Sequence, residues 1–486
     1  MKSKRLKYFI LMQPEFMKRY GILLWLIALA FAASAQKQDA DTLSFSLDEA
    51  VDYAKEHNTK MQNAKLDVKS SKKKIWETTA TGLPQVNGEL NYQHIPGNLP
   101  TADFGGTDPR MTEFYQYIFD QFEALGQPVP PDLESALTTE TESREVTLGV
   151  KNSTTYSVTV SQLIFSGEYI VGLQASRTYH QISQINQEKQ QLDLKETITK
   201  SYLSALILEK NKEILDSTKA NVKSLYNETK KMVEAGLAES TDADQLKMNY
   251  NTLKNSVKSL ERQIQLSYLM FKIQLGIGID KTLLLTDNLN KLKVQLIKKN
   301  ESDISEFNVG NNINYRLAEN QQEISQLNLK REKSKYLPKI SGFYRYTDKT
   351  DKATFDFTIN HTLGVNLTVP IFSSFQRNAK VQQAKIDLKK ARNDKQLLEK
   401  NLRSKLTQAE YEYKNAREET ETAKENVQLS KNIYENTAKK YKEGMASSIE
   451  LTQTHDNYLQ AQSDYFSALH KLFNTKIELE KILNEL

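Results

Sequence analysis

The chain repeats itself at long range, and that repeat limits the fold more than any other feature. Tyr226, Thr229, Lys230-Lys231, Gly236-Leu237 and Asn249-Tyr250 recur as Tyr434, Thr437, Lys439-Lys440, Gly444-Met445 and Asn457-Tyr458. The offset is 208 residues for the tyrosine that opens the stretch, the central glycine and the tyrosine that closes it. Each copy is a long helical run, a Gly followed by small polar residues, and a second helical run. This pattern predicts an αα-hairpin, with glycine supplying the left-handed residue that ends the first helix. A repeat of this size makes the 486 residues one body of two similar halves rather than several unrelated domains.

Composition supports a largely water-exposed chain. Mean hydropathy is −0.61, and no apolar run long enough for a spanning helix follows the N-terminal segment. The formal net charge of +5 resides in residues 1–35, where Lys2, Lys4, Arg5, Lys7, Lys18 and Arg19 face Glu15. The rest is formally neutral, which removes the basic footprint of a nucleic-acid binder. Residues 1–35 predict a secretory signal peptide. Met17-Lys18-Arg19-Tyr20 is its basic start, Gly21–Phe31 its apolar core and Ala33-Ser34-Ala35 its cleavage site. The chain contains no cysteine, so neither disulfides nor a lipidated cysteine would hold the exported protein at a membrane.

Ser46-Leu47-Asp48-Glu49 fits a capping box. Leu47, Ala50, Val51 and Ala54 then predict one helix running to about Thr79, stopped by Gly82 and Pro84. Val86, Gly88, Leu90, Tyr92 and His94 share one parity and predict a strand over Pro84–Ile95. Residues 96–145 are rich in Pro and Gly around an aromatic patch (Phe114, Tyr117, Ile118, Phe122) and predict an excursion with a short helix. Thr154–Phe165 alternates again.

The second half keeps this order. Leu337-Pro338 mirrors Leu83-Pro84, Ile340–Tyr346 the first strand, Leu363–Val369 the second, and Phe372-Ser373 mirrors Phe165-Ser166. Pro84 to Phe165 spans 81 residues and Pro338 to Phe372 only 34, so the excursion accounts for 47 extra residues in the first half. The expected division is 36–303 for the first repeat, with 276–303 as its linker carrying a short strand at Leu283-Leu284-Leu285, and 304–486 for the second.

The helices after each strand pair are long; Glu168–Ala235 would reach roughly 100 Å if unbroken. Leu246, Tyr250, Leu253, Val257, Leu260, Ile264, Ser267 and Phe271 follow a heptad seam. So do Val381, Ala384, Leu388, Ala391, Leu398, Leu402 and Ala409, interrupted by Lys395 and Lys405. Such spacing predicts knobs-into-holes packing.

Four strands of about ten residues suffice to cross a bilayer when tilted. One chain's four cannot close, and an open edge in lipid leaves backbone groups unpaired. Three copies would supply twelve, wider than the filled eight-stranded barrel. A signal peptide, membrane strands and very long helices together predict a bacterial outer-membrane conduit. Two alternatives stay open: a periplasmic coiled-coil scaffold, and an outer-membrane adhesin or receptor whose function lies in residues 96–145.

The twofold order of helix, Leu-Pro, strand pair, Phe-Ser and helical hairpin resembles the TolC family of outer-membrane efflux proteins. Ser161-Gln162-Leu163-Ile164-Phe165, Val369-Pro370-Ile371-Phe372 and the turns at Gly236 and Gly444 carry the likeness. The resemblance implies a homotrimer, a 12-stranded barrel above an α-helical tunnel, and a place in the outer membrane of a Gram-negative bacterium. It further implies a periplasmic adaptor docked at the tips (Gly236, Leu237, Ala238, Gly444, Met445, Ala446) and an inner-membrane pump of proton-driven (RND) or ATP-driven (ABC) type. A polar gate link of the family maps onto Tyr441 and Asp242, with Thr241 also matching. A second link needs an arginine where this chain has Ala446, and two acidic-ring positions hold Glu450 and Gln453.

Nothing in the sequence points to catalysis. His57, His94, His180, His361, His455 and His470 lack metal-ligand spacing, and Ser240-Thr241-Asp242 has no adjacent base. No phosphate-cradling loop occurs, and no cofactor is expected.

Overall fold

A computed structural model describes residues 42–104, 108–138, 144–298, 307–353 and 356–486. The expected signal peptide and parts of the excursion and linker lie outside these residues. The chain opens with β1 (Leu43–Phe45), α1 (Leu47–His57), α2 (Thr59–Ala80) and β2 (Gln85–His94). The excursion follows as β3 (Thr101–Phe104), α3 (Pro109–Ala124), α4 (Pro131–Thr138) and β4 (Arg144–Thr147). Next come β5 (Asn152–Ser166), α5 (Gly167–Glu234), α6 (Ser240–Leu275), β6 (Leu283–Leu285) and α7 (Leu289–Lys298). The second half holds α8 (Ile313–Ser334), β7 (Lys339–Lys349), β8 (His361–Thr368), α9 (Gln376–Lys442) and α10 (Ser448–Leu483).

The described residues form two compact units, each drawing on both repeats: those within Met1–Ala64, Glu188–Asn312 and Leu402–Leu486 make one, and those within Lys65–Gln187 and Ile313–Asn401 the other. The first unit buries the main apolar core. Ala50 and Ala54 of α1, Ile198 and Tyr202 of α5, Phe271 and Leu275 of α6, and Leu472, Phe473 and Ile477 of α10 are almost fully enclosed. Tyr202 and Phe271 meet edge to face at 5.9 Å, a geometry that adds to their area burial. Lys481 joins α10 to α5 through Asp193 at 2.6 Å and Glu196 at 2.5 Å. The heptad seam of α6 points inward, with Leu246, Leu253, Val257, Leu260 and Phe271 all buried.

The capping box forms: Ser46 Oγ accepts from Glu49 N at 3.4 Å, and Ser46 N donates to Glu49 Oε2 at 2.8 Å. The single helix expected from Leu47 to Thr79 is instead two. Asn58 takes an extended ψ of 128° and restarts the helix, its Oδ1 accepting from Lys60 N and Met61 N at 2.9 and 3.1 Å. Its Nδ2 donates to Gln274 O at 2.7 Å, so a contact 216 residues away sets the break. The linker strand is real and pairs in parallel with β1, Leu43 opposite Leu283. Asp287 Oδ2 fixes this join by accepting from Leu47 N (2.7 Å) and from Tyr202 Oη (2.9 Å).

In the second unit β2, β5, β7 and β8 make one antiparallel sheet in the order β2-β5-β7-β8. The excursion is richer than the single short helix expected: β3 and β4 form a two-stranded ribbon around α3 and α4. On α9, Val381, Ala384 and Leu388 are buried as the seam requires. Lys395, which interrupts that seam, is accommodated by an ion pair to Glu319 at 3.0 Å and by the Tyr315 ring 4.9 Å away.

Candidate functional site: the hairpin tips and the four-stranded sheet

Within the first unit both hairpins turn in the same way. Gly236 and Gly444 have φ of 73° and 74°, the left-handed region that side chains resist. Leu237 N donates to Met232 O and Met445 N to Lys440 O, each at 2.8 Å, while each glycine N–H reaches a carbonyl three residues back at 3.0 Å. These are two Schellman turns. Leu237 and Met445 stand 74% and 66% exposed. Ala238 and Ala446 are half-buried, and Ala446 rests on Leu225, Leu246, Tyr434, Tyr441, Leu451 and Tyr458.

That apolar cluster draws on all four hairpin helices. Tyr441 is buried in it, and its Oη lies 3.3 Å from Oγ1 of the buried Thr229. Burial pushes the Tyr441 phenol up, and the nearby Asp242 charge adds to the rise. Among the described residues the hydroxyl's hydrogen-bond partner is Thr229 rather than Asp242. Thr241 bonds Glu239 at 3.1 Å. Glu450 is exposed, its backbone N held by the Ser447 cap at 3.2 Å. Gln453, also exposed, donates to Asn457 at 3.1 Å. The expected gate residues thus share one end of the hairpins, but within one chain only Tyr441 bridges them.

Two further bridges escaped sequence reasoning: Lys442 pairs with Glu228 at 2.9 Å across α9 and α5, and Asn249 donates to Thr452 at 3.1 Å across α6 and α10. The only trace of Thr229 in the sequence was its recurrence as Thr437, and the structure buries both. His455 lies beside Tyr434 at 5.2 Å and is only 3% exposed. Among the described residues neither of its ring nitrogens has a hydrogen-bond partner. Burial lowers its pKa, opposed by the Asp456 carboxylate.

The second unit's sheet has two chemically different faces, which the pairing register assigns. Tyr344 lies opposite Leu363, Gly342 opposite Val365 and Ile340 opposite Leu367. Across the next ladder Tyr344 lies opposite Val160 and Tyr346 opposite Val158, and these oppose Val86 and Gly88, with Tyr156 opposite Leu90. Opposed residues point to the same side, so one face collects Val86, Leu90, Tyr156, Val158, Val160, Tyr344, Leu363, Val365 and Leu367. The other collects Asn87, Glu89, Asn91, Ser157, Thr159, Arg345, Thr347, Asn366 and Thr368. The apolar face is bare: Leu90 is 72% exposed, Leu363 83% and Val365 68%. A bulge between Leu163 and Phe165 leaves Ile164 exposed too.

Among the described residues no helix is long and apolar enough to cross a membrane, and no group of three or more His, Cys, Asp or Glu is placed to hold a metal ion.

Residues 310–485 match the family model described as outer membrane efflux protein. This part of the chain is similar to that family. It contains α8, the β7–β8 pair and the second hairpin, and so the second-half part of the sequence resemblance, Val369-Pro370-Ile371-Phe372 and the Gly444 turn. No curated protein sequence matches the chain. Among solved structures the chain is similar to CusC, a transmembrane channel protein (TM-score 0.68, 14% identity, 92% of this chain and 95% of that one). It is also similar to the Campylobacter jejuni outer membrane channel CmeC (0.66, 16%, 90% and 85%) and the Vibrio cholerae outer membrane protein VceC (0.64, 14%, 90% and 95%). The matched segment and its first-half counterpart therefore share the fold of these channels. That fold joins long helical hairpins to a small sheet.

Proposed function

We propose that this protein is the outer-membrane exit duct of a tripartite efflux or type I secretion system in a Gram-negative cell. Three copies close a 12-stranded barrel, their helices continue as a periplasmic tunnel, and the tips close and dock. The two-faced sheet carries this reading. An apolar face this bare is stable against acyl chains, whereas in water it invites aggregation. The polar face suits a water-filled lumen. The 11 residues of β7, at about 3.4 Å each and tilted roughly 40°, cover about 29 Å of height, enough for the apolar band of known barrels. β2 and β8 each have one strand neighbour among the described residues, and pairing them between copies removes both edges. A scaffold without a membrane segment leaves the bare face unexplained.

At the tips Tyr441, Asp242, Thr241, Glu450 and Gln453 form the gate, and three Glu450 carboxylates converging on the axis favour cations. Leu237, Ala238, Met445 and Ala446, presented by Gly236 and Gly444, receive the periplasmic adaptor, which connects the duct to the inner-membrane pump. Membrane fractionation, heat-modifiable mobility and planar-bilayer conductance test the duct together. A detergent-free, stable monomer without channel activity would exclude it.

A further inference from the structure

The excursion between β2 and β5 carries a surface that a duct does not need. Gln85 pairs with Ser161 and His94 with Asn152, so the excursion joins the strand ends remote from α2 and α5. Asp108 caps α3, accepting from Arg110 N at 3.0 Å, and Pro109 fills the first turn. Tyr115, Ile118, Phe119 and Phe122 of this helix are half-buried. Phe114, Tyr117 and Leu125 instead stand 53%, 64% and 71% exposed, and Met111 is exposed as well. Met111, Phe114, Ile118 and Leu125 follow one another at steps of three, four and seven residues, which on a helix makes a single stripe. Carboxylates edge it. Glu113 lies four residues before Tyr117 and Asp120 three after, so both neighbour that ring on the helix surface. With Asp108, Glu123, Asp132 and Glu134 they make six exposed carboxylates, and Arg110 is the one cation over 108–138.

We infer that the Met111, Phe114 and Tyr117 stripe of α3 is a docking surface for a basic amphipathic helix of another polypeptide outside the cell. The outside placement rests on the duct proposed above, which sets the helix-remote end of the sheet at the exterior. A stripe of this spacing fits the apolar face of a second helix. The carboxylates beside it select lysines or arginines flanking that face, and they speed and orient the encounter. The same charges set other occupants aside. A second copy brings an equally acidic excursion, and like charges across an interface repel. An anionic lipid surface attracts basic segments rather than acidic ones. The chain's own basic helix, α9 with Lys385, Lys389, Lys390 and Arg392, leaves β8 at Thr368, which pairs with Lys339 at the helix end of the sheet. A metal ion does not account for the stripe either, because among the described residues no acidic group is placed to hold one and the exposed rings offer it no ligand.

The test titrates full-length protein in phosphatidylcholine nanodiscs with a fluorescein-labelled synthetic amphipathic helix of leucine and lysine. The same helix with glutamate in place of lysine is the control, and empty nanodiscs are the blank. Saturable binding of the lysine helix alone is expected, weakening as salt is raised. Phe114→Ala with Tyr117→Ala should weaken it by about tenfold or more, as truncated aromatic anchors do. Glu113→Gln with Asp120→Asn should weaken it too and remove most of its salt dependence. Both double variants should keep the parent's heat-modifiable mobility and conductance, since these residues belong neither to the four-stranded sheet nor to the tips. No saturable binding, equal binding of the glutamate helix, or an affinity untouched by Phe114→Ala with Tyr117→Ala overturns the docking surface. Efficient disulfide cross-linking of Phe114→Cys between copies assigns the stripe to a second chain and overturns it as well. Sidedness is read separately. In a chain without native cysteine, Gln116→Cys should react with a membrane-impermeant maleimide on intact cells. Labelling only after the cells are opened overturns the outside placement, and with it the duct's orientation, while the peptide titration still decides the stripe.

Discussion

Removing the Tyr441 hydroxyl isolates one of the polar bridges that join the two hairpins near their tips. Its 3.3 Å separation from Thr229 Oγ1 exceeds the usual 2.7–2.8 Å, so Tyr441→Phe should cost at the low end of the net range, about 0.5–1 kcal/mol per chain. If three chains of the proposed trimer open together, the closed state loses roughly 1.5–3 kcal/mol, a shift of about ten- to a hundredfold in the opening equilibrium. Planar-bilayer recordings should show a matching rise in open probability with the open conductance unchanged. Thr229→Val removes the other half of the bond at nearly equal volume, so the double variant should behave like either single one. Asp242→Ala should do less than Thr229→Val, since Asp242 reaches the phenol through its charge alone. Additive effects in the Tyr441→Phe, Thr229→Val pair, or a closed level untouched by either, would refute this account of the gate.

His455 should make the tips acid-sensitive. Its folded pKa lies below the ordinary 6.5 because of burial. Its contribution is therefore complete above that value and lost as pH falls through the lower folded value; His455→Phe should flatten the pH dependence of tip protection in hydrogen exchange. Gly276→Ala should lower thermal stability far more than Gly444→Ala. A Cβ at 276 meets His57 O at 2.3 Å, whereas at 444 nothing lies within 4 Å, leaving only the left-handed penalty of about 1–2 kcal/mol. Val365→Arg should impede refolding into vesicles by about 2–4 kcal/mol if that residue sits near the bilayer midplane; normal refolding would argue that it faces water. Ser374, in the corner between β8 and α9, has φ of 46°; Ser374→Gly should raise the unfolding midpoint, since glycine takes the left-handed backbone without strain, and an unchanged midpoint would mean the corner is not strained.

How far the sequence disclosed the fold depended on the range of the contacts involved. The glycine turns, the capping box at Ser46 and the period-two strands are local, and each was legible. The break at Asn58 was not, because His57-Asn58-Thr59 reads as ordinary helix until Gln274 and Gly276 are brought against it. Parity was visible in every strand, but which parities share a face needed the register, and the bulge at Leu163 resets the alternation partway along β5. At the tips the family likeness pointed to Tyr441 and Asp242, whereas the phenol's hydrogen-bond partner within the chain is Thr229. Thr229 went unnoticed because a threonine inside a long helix looks the same buried or exposed. Glu450 and Gln453 do not meet Tyr441 within one chain, since both point outward from α10, where only another copy could bring them together.

The two strand-to-helix joins show how a duplicated element takes on separate tasks. In the first, Gly167 is buried so tightly that a Cβ there would meet Leu337 Cδ1 at 2.7 Å; the join is spent on packing one repeat against the other inside its unit. Once that contact is made, the second join need not make it again. Pro370 ends β8, since it has no N–H to offer a ladder, and the chain crosses two left-handed residues before Gln376 starts α9. Hydrophobic burial within the chain cannot explain a corner that leaves Phe372 and Phe375 exposed. The strain there has to be offset by something outside the chain or by Arg377 alone, which donates to Pro370 O at 2.8 Å and to Ser373 Oγ at 3.0 Å. That clamp fixes the backbone, but it gains nothing from the rings. Their exposure on a strained turn fits the duct proposed above, in which the apolar sheet face beside them meets lipid.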